Sequence, residues 1–395
     1  MRTAIGCGPL AREKWTLGTM RVNRGGTADS ESFRPLWIEA LFRYLEDTVI
    51  IVMRGSATDQ DIQTVVDHVE RLGLGVNVSR GVERTVIGLI GRRDPSIAES
   101  LEALAGVDTV VPISRPYKQA SREFQPNPTI IKVGNVTIGG DDVVMMAGPC
   151  TVETEQQTIE TAEFVASLGA NILRGGAYKP STSPYGFRGL GVEGLKILAK
   201  AREITGMPVI TEVLTPTDVP AVEEYADIFQ IGTRNMQNFA LLDAVGKASK
   251  PVMLKRGMSS TIEEWLLAAE YVLAGGNKQV ILCERGIRTF ERATRNTMDI
   301  SAIPLIKRLS HLPIIADPSQ GTGKWYLVEP LTLAAIAAGA DGLIIEVHPN
   351  PDIALKDGAQ SLSFDNFRML NDKVHRVATS LGRRIHPAPQ FAGAR

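Results

Sequence analysis

The chain has 395 residues, with 43 Lys and Arg against 44 Asp and Glu. Because this charge is balanced, we predict neither nucleic acid nor an anionic membrane as a partner, and no run approaches the roughly 20 apolar residues of a membrane-spanning helix. Three cysteines are too few for a disulfide framework, and the first residues lack the apolar core of a signal peptide. The composition therefore predicts a cytoplasmic protein, and the length favours two domains.

The first 115 residues divide into an extension and a small domain. Residues 1–46 fit no domain pattern, and the sequence assigns them no role. Within residues 47–115 the order of the patterns is βαββαβ, which is typical of a ferredoxin-like domain. The β runs cover 48–53, 75–79, 84–91 and 107–113, and the helical patterns cover 58–72 and 95–105. Residues 116–127 are polar and without periodicity, so we predict a linker there.

Residues 128–395 carry eight short, apolar, β-rich runs that alternate with helical patterns. This alternation predicts an α/β fold, a parallel (β/α)₈ barrel of the TIM type, after the smaller ferredoxin-like domain. A hairpin around Gly134 is predicted within 129–139, where it could plug the bottom of the barrel. The eight runs are Val143–Cys150, Asn171–Lys179, Pro208–Leu214, Ile228–Arg234, Pro251–Arg256, Gln279–Arg285, Pro313–Gln320 and Gly342–His348.

The sequence predicts three helices in this region. Ser260 followed by Glu263 forms a capping-box pattern, and Gly275 predicts the C-terminal end of that helix. An almost wholly apolar segment, 327–338, predicts a helix packed on the barrel, and 363–381 predicts a last amphipathic helix.

Basic residues accumulate where the β-rich runs end. In a barrel of this type the active site lies at the C-terminal ends of the strands, so these cations are predicted to share one face. Arginine binds carboxylates and phosphates with two parallel hydrogen bonds and lysine offers a point charge, which favours a polyanionic ligand. For any single cation, an ordinary loop residue that faces solvent is an equally good interpretation. The basic residues are Arg174, Lys179, Arg234, Lys255, Arg256, Arg285 and Arg288.

A second set at the same ends is Cys150, Gln320, Glu346 and Asp357. A thiolate with two carboxylates is compatible with a divalent transition metal, for which Mn, Fe, Co and Zn are all candidates. The alternative is that Cys150 is a small core residue and that Glu346 pairs with a neighbouring lysine.

Two further residues have simpler interpretations. Cys283 lies inside its β-rich run, so we predict that it packs in the core. His348 is either a proton carrier or orienting residue, or a structural histidine with satisfied hydrogen bonds.

Several motifs, taken together and in order, resemble 3-deoxy-D-arabino-heptulosonate 7-phosphate (DAHP) synthase. The motifs are AGPCTVE, LRGGAYKPSTSPYGFRGLG, IGTRNMQNF, MLKRGM, CERGIRTFE, ADPSQGTG, EVHPNP and DGAQSL. The resemblance is to the microbial branch with an N-terminal ferredoxin-like regulatory domain, and it covers roughly residues 48–381.

The resemblance implies an activity and a set of site residues. In that family phosphoenolpyruvate condenses with erythrose 4-phosphate on a divalent metal, as the first step of the shikimate pathway. The family's metal ligands fall on Cys150, Gln320, Glu346 and Asp357, and its phosphoenolpyruvate-binding cations fall on Arg174, Lys179, Arg234, Lys255 and Arg285. Other positions implied in substrate binding are Pro180, Ser181, Thr182, Arg188 and Asp317.

The implied mechanism is an aldol-like condensation. The metal polarises the acceptor aldehyde, C3 of phosphoenolpyruvate attacks it, water adds at C2, and phosphate leaves by cleavage of its C–O bond. Lys179 is the implied general acid toward the aldehyde oxygen, with a purely electrostatic role as the alternative.

The sequence departs from the family pattern at three positions. The usual DPSH motif is DPSQ here, which replaces a ligand histidine by Gln320, and the usual KPRTSPY is KPSTSPY, which replaces an arginine associated with the aldose phosphate by Ser181. Arg188 stands where glutamine is common. These departures keep two alternatives open: a paralogue that uses another aldehyde, and a weakly active regulatory or scaffolding homologue, for example for chorismate mutase.

The resemblance also implies control of activity. The ferredoxin-like domain is expected to bind an aromatic amino acid such as tyrosine or phenylalanine, within a homotetramer.

Overall fold

The computed structural model describes residues 49–81, 84–90, 97–112, 116–181 and 183–388. The predicted extension 1–46 and the predicted site residue Thr182 lie outside the described residues. The chain divides into two compact units, of which the second begins at Arg115. No helix within the described ranges is long and apolar enough to cross a membrane.

Within its described residues, the first unit is a four-stranded antiparallel sheet in the order β2-β3-β1-β4 with two helices. Thr58 and Asp61 form a capping box at the start of α1, and Ile62, Val65 and Val69 of that helix are buried in the core of the unit. The predicted ferredoxin-like βαββαβ order is confirmed. The elements are β1 Val49–Met53, α1 Asp59–Arg71, β2 Gly75–Arg80, β3 Thr85–Ile90, α2 Ile97–Glu102 and β4 Val107–Pro112.

The second unit is a closed barrel of eight parallel strands, which confirms the predicted TIM-type fold. The seventh strand is shorter than its predicted run, which extended to Gln320, because Asp317 caps a short helix that begins at Pro318. The strands are β7 Val144–Gly148, β8 Ile172–Arg174, β9 Val209–Val213, β10 Ile228–Ile231, β11 Val252–Lys255, β12 Val280–Glu284, β13 Ile314–Ala316 and β14 Gly342–Glu346.

The predicted hairpin is present as β5 Ile131–Val133 and β6 Val136–Ile138. Its four isoleucines and valines are buried in one cluster with strand residues such as Val144, Ile172 and Cys283. Alternate strand residues, such as Met145, belong to a second cluster with the helices. The hairpin therefore packs against the inward-facing residues of the strands, and Cys283 is a core residue, as predicted.

The helices around the barrel are α3 Glu155–Ser167, α4 Val192–Thr205, α5 Val219–Tyr225, α6 Phe239–Gly246, α7 Ile262–Ala274, α8 Ala302–Leu309, α9 Pro318–Thr322, α10 Trp325–Ala337 and α11 Phe364–Ser380. The predicted Ser260 cap of α7 is wrong by one residue. The Thr261 hydroxyl accepts from Glu264 N at 3.1 Å and the Glu264 carboxylate accepts from Thr261 N at 2.7 Å, so the box starts one position later. The C-cap at Gly275 is confirmed.

Residues 116–127, predicted as a linker, pack against the barrel. The backbone N–H groups of Gln119 and Ala120 each donate to the Glu270 carboxylate at 2.9 Å, and Ser121 pairs with Ser310 in an antiparallel bridge. The segment therefore belongs to the barrel unit.

Candidate active site

A cavity of about 360 Å³ opens at the C-terminal ends of the barrel strands. Its lining residues end or follow strands β8 to β14, on the face where such barrels build their active sites. Glu212 and Asp357 are the acidic side chains in the lining. The basic ones are more numerous: Arg174, Lys179, Arg234, Lys255, Arg285, Arg288, Arg295 and Lys356. The cavity therefore suits a ligand with several negative charges.

Three of the four predicted metal ligands lie together beside this cavity. The ligand atoms of Cys150, Glu346 and Asp357 are all within 4.8 Å of one another, and Cys150 Sγ donates to Asp357 Oδ2 at 3.2 Å. Burial raises the pKa of the Cys150 thiol, and the Glu346 carboxylate adds to the rise. The thiol is therefore protonated here, and a bound divalent ion would displace its proton.

The backbone at Asp357 supports a functional role for this cluster. Its φ of 53° makes it the one non-glycine residue with positive φ among the described residues. A left-handed conformation is unfavourable for a residue with a Cβ, and such residues concentrate at functional sites.

Gln320, the fourth predicted ligand, forms hydrogen bonds to neighbouring side chains through both its amide oxygen and its amide nitrogen. Its Oε1 accepts from Arg285 Nη2 at 3.0 Å and from Arg295 Nη2 at 2.7 Å, while its Nε2 donates to Glu346 Oε1 at 3.0 Å. The amide oxygen thus faces two guanidinium groups, and Gln320 links them to the carboxylate cluster.

Three buried cations of the cavity face carboxylates. Arg174 Nη1 lies 3.0 Å from Glu346 Oε1, Lys255 Nζ lies 2.5 Å from Asp317 Oδ2, and Lys179 Nζ lies 4.0 Å from Asp357 Oδ2. Asp317 does not line the cavity, so its role is to hold Lys255 and to cap α9 through Gln320 N. We call Arg174, Lys179, Lys255 and their carboxylate partners Glu346 and Asp317 the wall.

The electrostatics of the wall are those of tightly paired charges. Burial alone would raise the pKa of Glu346, but the positive charges of Arg174 and Lys179 outweigh it and lower the pKa to about 2. Burial alone would lower the pKa of Lys179, but Cys150, Glu346 and Glu212 outweigh it and raise the pKa above its ordinary range. Lys179 is therefore a cation across the physiological pH range.

Glu212, at the end of β9, was not singled out by the sequence analysis. Its carboxyl group is buried among the cations of the wall and fits there because residue 232 is glycine: a Cβ on Gly232 would lie 1.9 Å from Glu212 Oε1. Burial raises the pKa of Glu212, although Lys179 and Lys255 oppose the rise. A buried carboxyl with a raised pKa in a cleft is a candidate for proton transfer.

The loop residues at the opening differ from the wall. Lys356 and Ser181 are half-buried and both line the cavity, and Lys356 Nζ donates to Ser181 Oγ at 3.1 Å. Arg188 is exposed and does not line the cavity, although its backbone oxygen accepts from Lys179 N at 2.8 Å. Its role in substrate binding stays a prediction. We call Ser181, Lys356 and Arg188 the rim; Pro180 lines the cavity between rim and wall.

Arg256, one of the cations at the strand ends, does not line the cavity. It is buried, its Nη1 bonds Glu284 Oε2 at 3.0 Å and Asp299 Oδ2 at 2.9 Å, and its guanidinium lies 5.9 Å from the centre of the Trp265 ring. The expectation that it faces the cavity is wrong, because side chains alternate along β11 and the residue that follows it, and Lys255 takes the inward position.

His348 has a structural setting. It is buried, its Nδ1 accepts from Asn350 N at 3.1 Å, its Nε2 lies 3.6 Å from Glu153 Oε2, and it does not line the cavity. Its Nε2 is buried without a hydrogen-bond partner among the described residues, so the expectation of a structural histidine with satisfied hydrogen bonds is met at Nδ1 only.

Other functional candidates were missed by the sequence analysis. Glu212 stood at the end of a predicted strand and could have been found by its position. Arg295 and Lys356 lie in loops, where no periodic pattern marks them. Gln360, in the quoted DGAQSL motif, donates to Glu346 Oε2 at 2.6 Å.

Comparison with known proteins agrees with this geometry. The family model described as the DAHP synthetase I family matches residues 117–382, and that of the DAHP synthase ferredoxin-like domain matches residues 49–115. A phospho-2-dehydro-3-deoxyheptonate aldolase from Thermotoga maritima is 52% identical over 338 residues, which are 86% of this chain and 100% of that protein.

Solved structures and more distant relatives point the same way. The crystal structure of DAHP synthase from Thermotoga maritima matches with a TM-score of 0.83 at 50% identity, covering 86% of this chain and 99% of that one. A 2-dehydro-3-deoxyphosphooctonate aldolase from Syntrophotalea carbinolica is 34% identical over 61% of this chain and 93% of its own length. The chain therefore belongs to the DAHP synthase family of enzymes, in the branch that carries an N-terminal ferredoxin-like domain.

Proposed function

We propose that this protein condenses phosphoenolpyruvate with erythrose 4-phosphate to give DAHP and phosphate, in a reaction that requires a divalent metal. The observation that carries the proposal is the cavity at the strand ends, which eight basic side chains line and which lies beside the Cys150, Glu346 and Asp357 cluster. The relative named for the seven-carbon product shares 52% identity, against 34% for the one named for an octonate, which favours the four-carbon acceptor.

Phosphoenolpyruvate would bind to the wall and its neighbours. Its phosphate and carboxylate need several donors, and Arg174, Lys179, Arg234, Lys255 and Arg285 offer them within one cavity. The Nε of Arg174 is buried and has no hydrogen-bond partner in the described part of the chain, which leaves a donor for a substrate oxygen. The paired carboxylates hold these cations in place before substrate arrives.

The donor set fits a divalent metal. One thiol and two carboxylates within 4.8 Å can supply three ligands, and a catalytic metal keeps further positions for water or substrate. A divalent ion held by Cys150, Glu346 and Asp357 would supply Lewis acidity toward the acceptor aldehyde. We propose that this ion is one of Mn, Fe, Co and Zn. Gln320 would orient the ligand Glu346, since its amide nitrogen donates a hydrogen bond to the Glu346 carboxylate.

We expect Lys179 to stabilise negative charge in the reaction and Glu212 to transfer a proton. The raised pKa of Lys179 favours an electrostatic role over proton donation, because an effective general acid has a pKa near the working pH. Glu212 has its pKa raised from the ordinary 4.5, so it is suited to take a proton from the water that adds at C2.

A pH profile tests the role of Glu212. If the carboxylate form is required, kcat/KM rises with pH through a pKa above 4.5, and Glu212→Gln removes this acidic limb together with most of the activity. A Glu212→Gln enzyme that keeps the same limb would assign the titration to another group.

The experiment that tests the activity is phosphate release from phosphoenolpyruvate, with erythrose 4-phosphate and arabinose 5-phosphate compared as acceptors. We expect turnover with the first, loss of turnover after exhaustive chelation, and recovery on adding back a divalent ion. Full activity without bound metal would overturn the metal requirement, and preference for arabinose 5-phosphate would overturn the acceptor.

Control by the ferredoxin-like domain is the second part of the proposal. Residues 49–115 match the model of the DAHP synthase ferredoxin-like domain, and an effector-binding role would explain the presence of such a domain. We propose that it binds an aromatic amino acid in a homotetramer, with chorismate mutase as a further possible partner. A chain that starts at Pro116 retains the segment packed on the barrel. It should stay active and lose inhibition by tyrosine or phenylalanine; unchanged inhibition would contradict this role.

A further inference from the structure

The rim includes one cation, Lys356, that lines the cavity but does not belong to the paired charges of the wall. Lys356 Nζ donates to Ser181 Oγ at 3.1 Å, and both side chains line the cavity beside Asp357. No carboxylate oxygen lies within 4.0 Å of this ammonium group among the described residues, whereas Lys179 and Lys255 each have such a partner. Lys356 therefore brings an uncompensated, half-buried positive charge to the opening of the cavity.

The position of this charge fits one part of the substrates. In the proposed reaction the donor's phosphate and carboxylate bind to the cations of the wall, and the acceptor aldehyde approaches the Cys150, Glu346 and Asp357 cluster. The far end of a phosphorylated acceptor then points toward the opening. Lys356 is adjacent to Asp357 in the chain, is half-buried and lines the same cavity.

We propose that Lys356 supplies the charge that binds the acceptor phosphate, with the Ser181 hydroxyl as a second donor. This rests on the proposed function and adds to it the residue that selects a phosphorylated acceptor. The arginine of the usual KPRTSPY motif is a serine here, and the ammonium group that contacts this serine comes from a different loop. The charge is thus kept while its source has moved.

Gly186 fixes the geometry of this pair. A Cβ at this position would lie 2.5 Å from Ser181 Oγ and 2.9 Å from Lys356 Nζ, so the loop passes directly over both groups. Gly186→Ala should therefore displace the ammonium group while leaving both polar side chains in the protein.

The kinetic test compares Lys356→Gln with Lys132→Gln, which removes an exposed lysine from the hairpin. Loss of a charge-assisted hydrogen bond should raise the KM for erythrose 4-phosphate by roughly 10- to 100-fold, with the KM for phosphoenolpyruvate unchanged. Ser181→Arg in the Lys356→Gln background should restore the KM, and Gly186→Ala should raise it. With unphosphorylated erythrose, wild type and Lys356→Gln should not differ. An unchanged KM for erythrose 4-phosphate, or an equal loss with erythrose, would overturn the inference.

A binding measurement separates this inference from the proposed reaction. Erythritol 4-phosphate lacks the aldehyde and cannot condense, so calorimetry can follow it in the presence of phosphoenolpyruvate. We expect wild type and Lys132→Gln to bind it and Lys356→Gln to bind roughly 10- to 100-fold more weakly. Equal binding by all three would reject the role of Lys356 even if the enzyme turns over. Loss of binding in Lys356→Gln without turnover by wild type would keep the phosphate site and reject the proposed reaction.

Discussion

The wall and the rim of the cavity are built on different principles. The wall cations Arg174 and Lys255 end strands, are buried, and each lies 3.0 Å or less from a carboxylate oxygen. The rim residues Ser181, Lys356 and Arg188 lie in loops, are half-buried or exposed, and carry no carboxylate partner among the described residues. Strands fix the geometry of the wall, while loops can exchange residues without altering the barrel.

The strongest test of the wall is Lys179→Ala. The variant removes a buried cation that faces both the metal cluster and Glu212, so kcat should fall by roughly 10³-fold or more. Lys132→Ala serves as the control, and circular dichroism should show the same fold for both. Near-normal turnover of Lys179→Ala would remove this residue from the mechanism and weaken the distinction between wall and rim.

Arg256 tests whether burial and pairing at a strand end are enough to make a cation part of the substrate site. Removing its guanidinium leaves Glu284 buried without its main partner, and breaking a buried ion pair typically costs about 3 to 5 kcal/mol. Arg256→Met should therefore lower the free energy of unfolding by that amount in urea titrations, while Arg308→Met, on the exposed side of α8, should not.

The activity of the same variant completes the comparison. Folded Arg256→Met should keep the KM for phosphoenolpyruvate, since this residue does not line the cavity. A large rise in that KM would place Arg256 with the wall cations instead.

Lys255 and Arg256 show what sequence can and cannot predict. The eight apolar runs were enough to predict the barrel and the end at which function lies, because strand ends are read directly from hydrophobic patterning. Which of two consecutive cations turns inward depends on the register of the barrel, which the run did not specify. Alternation along β11 decides it in favour of Lys255.

Loop residues escaped prediction for another reason. Lys356 and Ser181 are 175 positions apart in the chain, and only the folded loops bring them into contact. Arg188 was assigned to the substrate by its motif, but its loop directs the side chain to solvent. Loops have no periodicity from which a side-chain direction could be inferred, so the rim could not be predicted residue by residue.

Gln320 lies between wall and cluster, and Gln320→His should have a smaller effect. An imidazole can ligate a metal more strongly than an amide, so affinity for the divalent ion should increase by roughly tenfold. Gln320→Asn is the matched control, because its shorter side chain moves the amide away from Arg285 and Glu346 without adding a stronger ligand. Equal metal affinity in Gln320→His and wild type would mean that residue 320 does not face the ion.

The smallest effect is expected for Arg188→Ala, at the outer part of the rim. Its side chain is exposed and outside the cavity, and its contact with the wall is a backbone oxygen that accepts from Lys179 N at 2.8 Å, which alanine retains. The KM for erythrose 4-phosphate should therefore change by less than about twofold, in contrast to Lys356→Gln. A rise of tenfold or more would mean that the loop turns Arg188 inward when the acceptor binds. The rim would then be assembled by the substrate, and the division between a fixed wall and an exchangeable rim would hold for the donor alone.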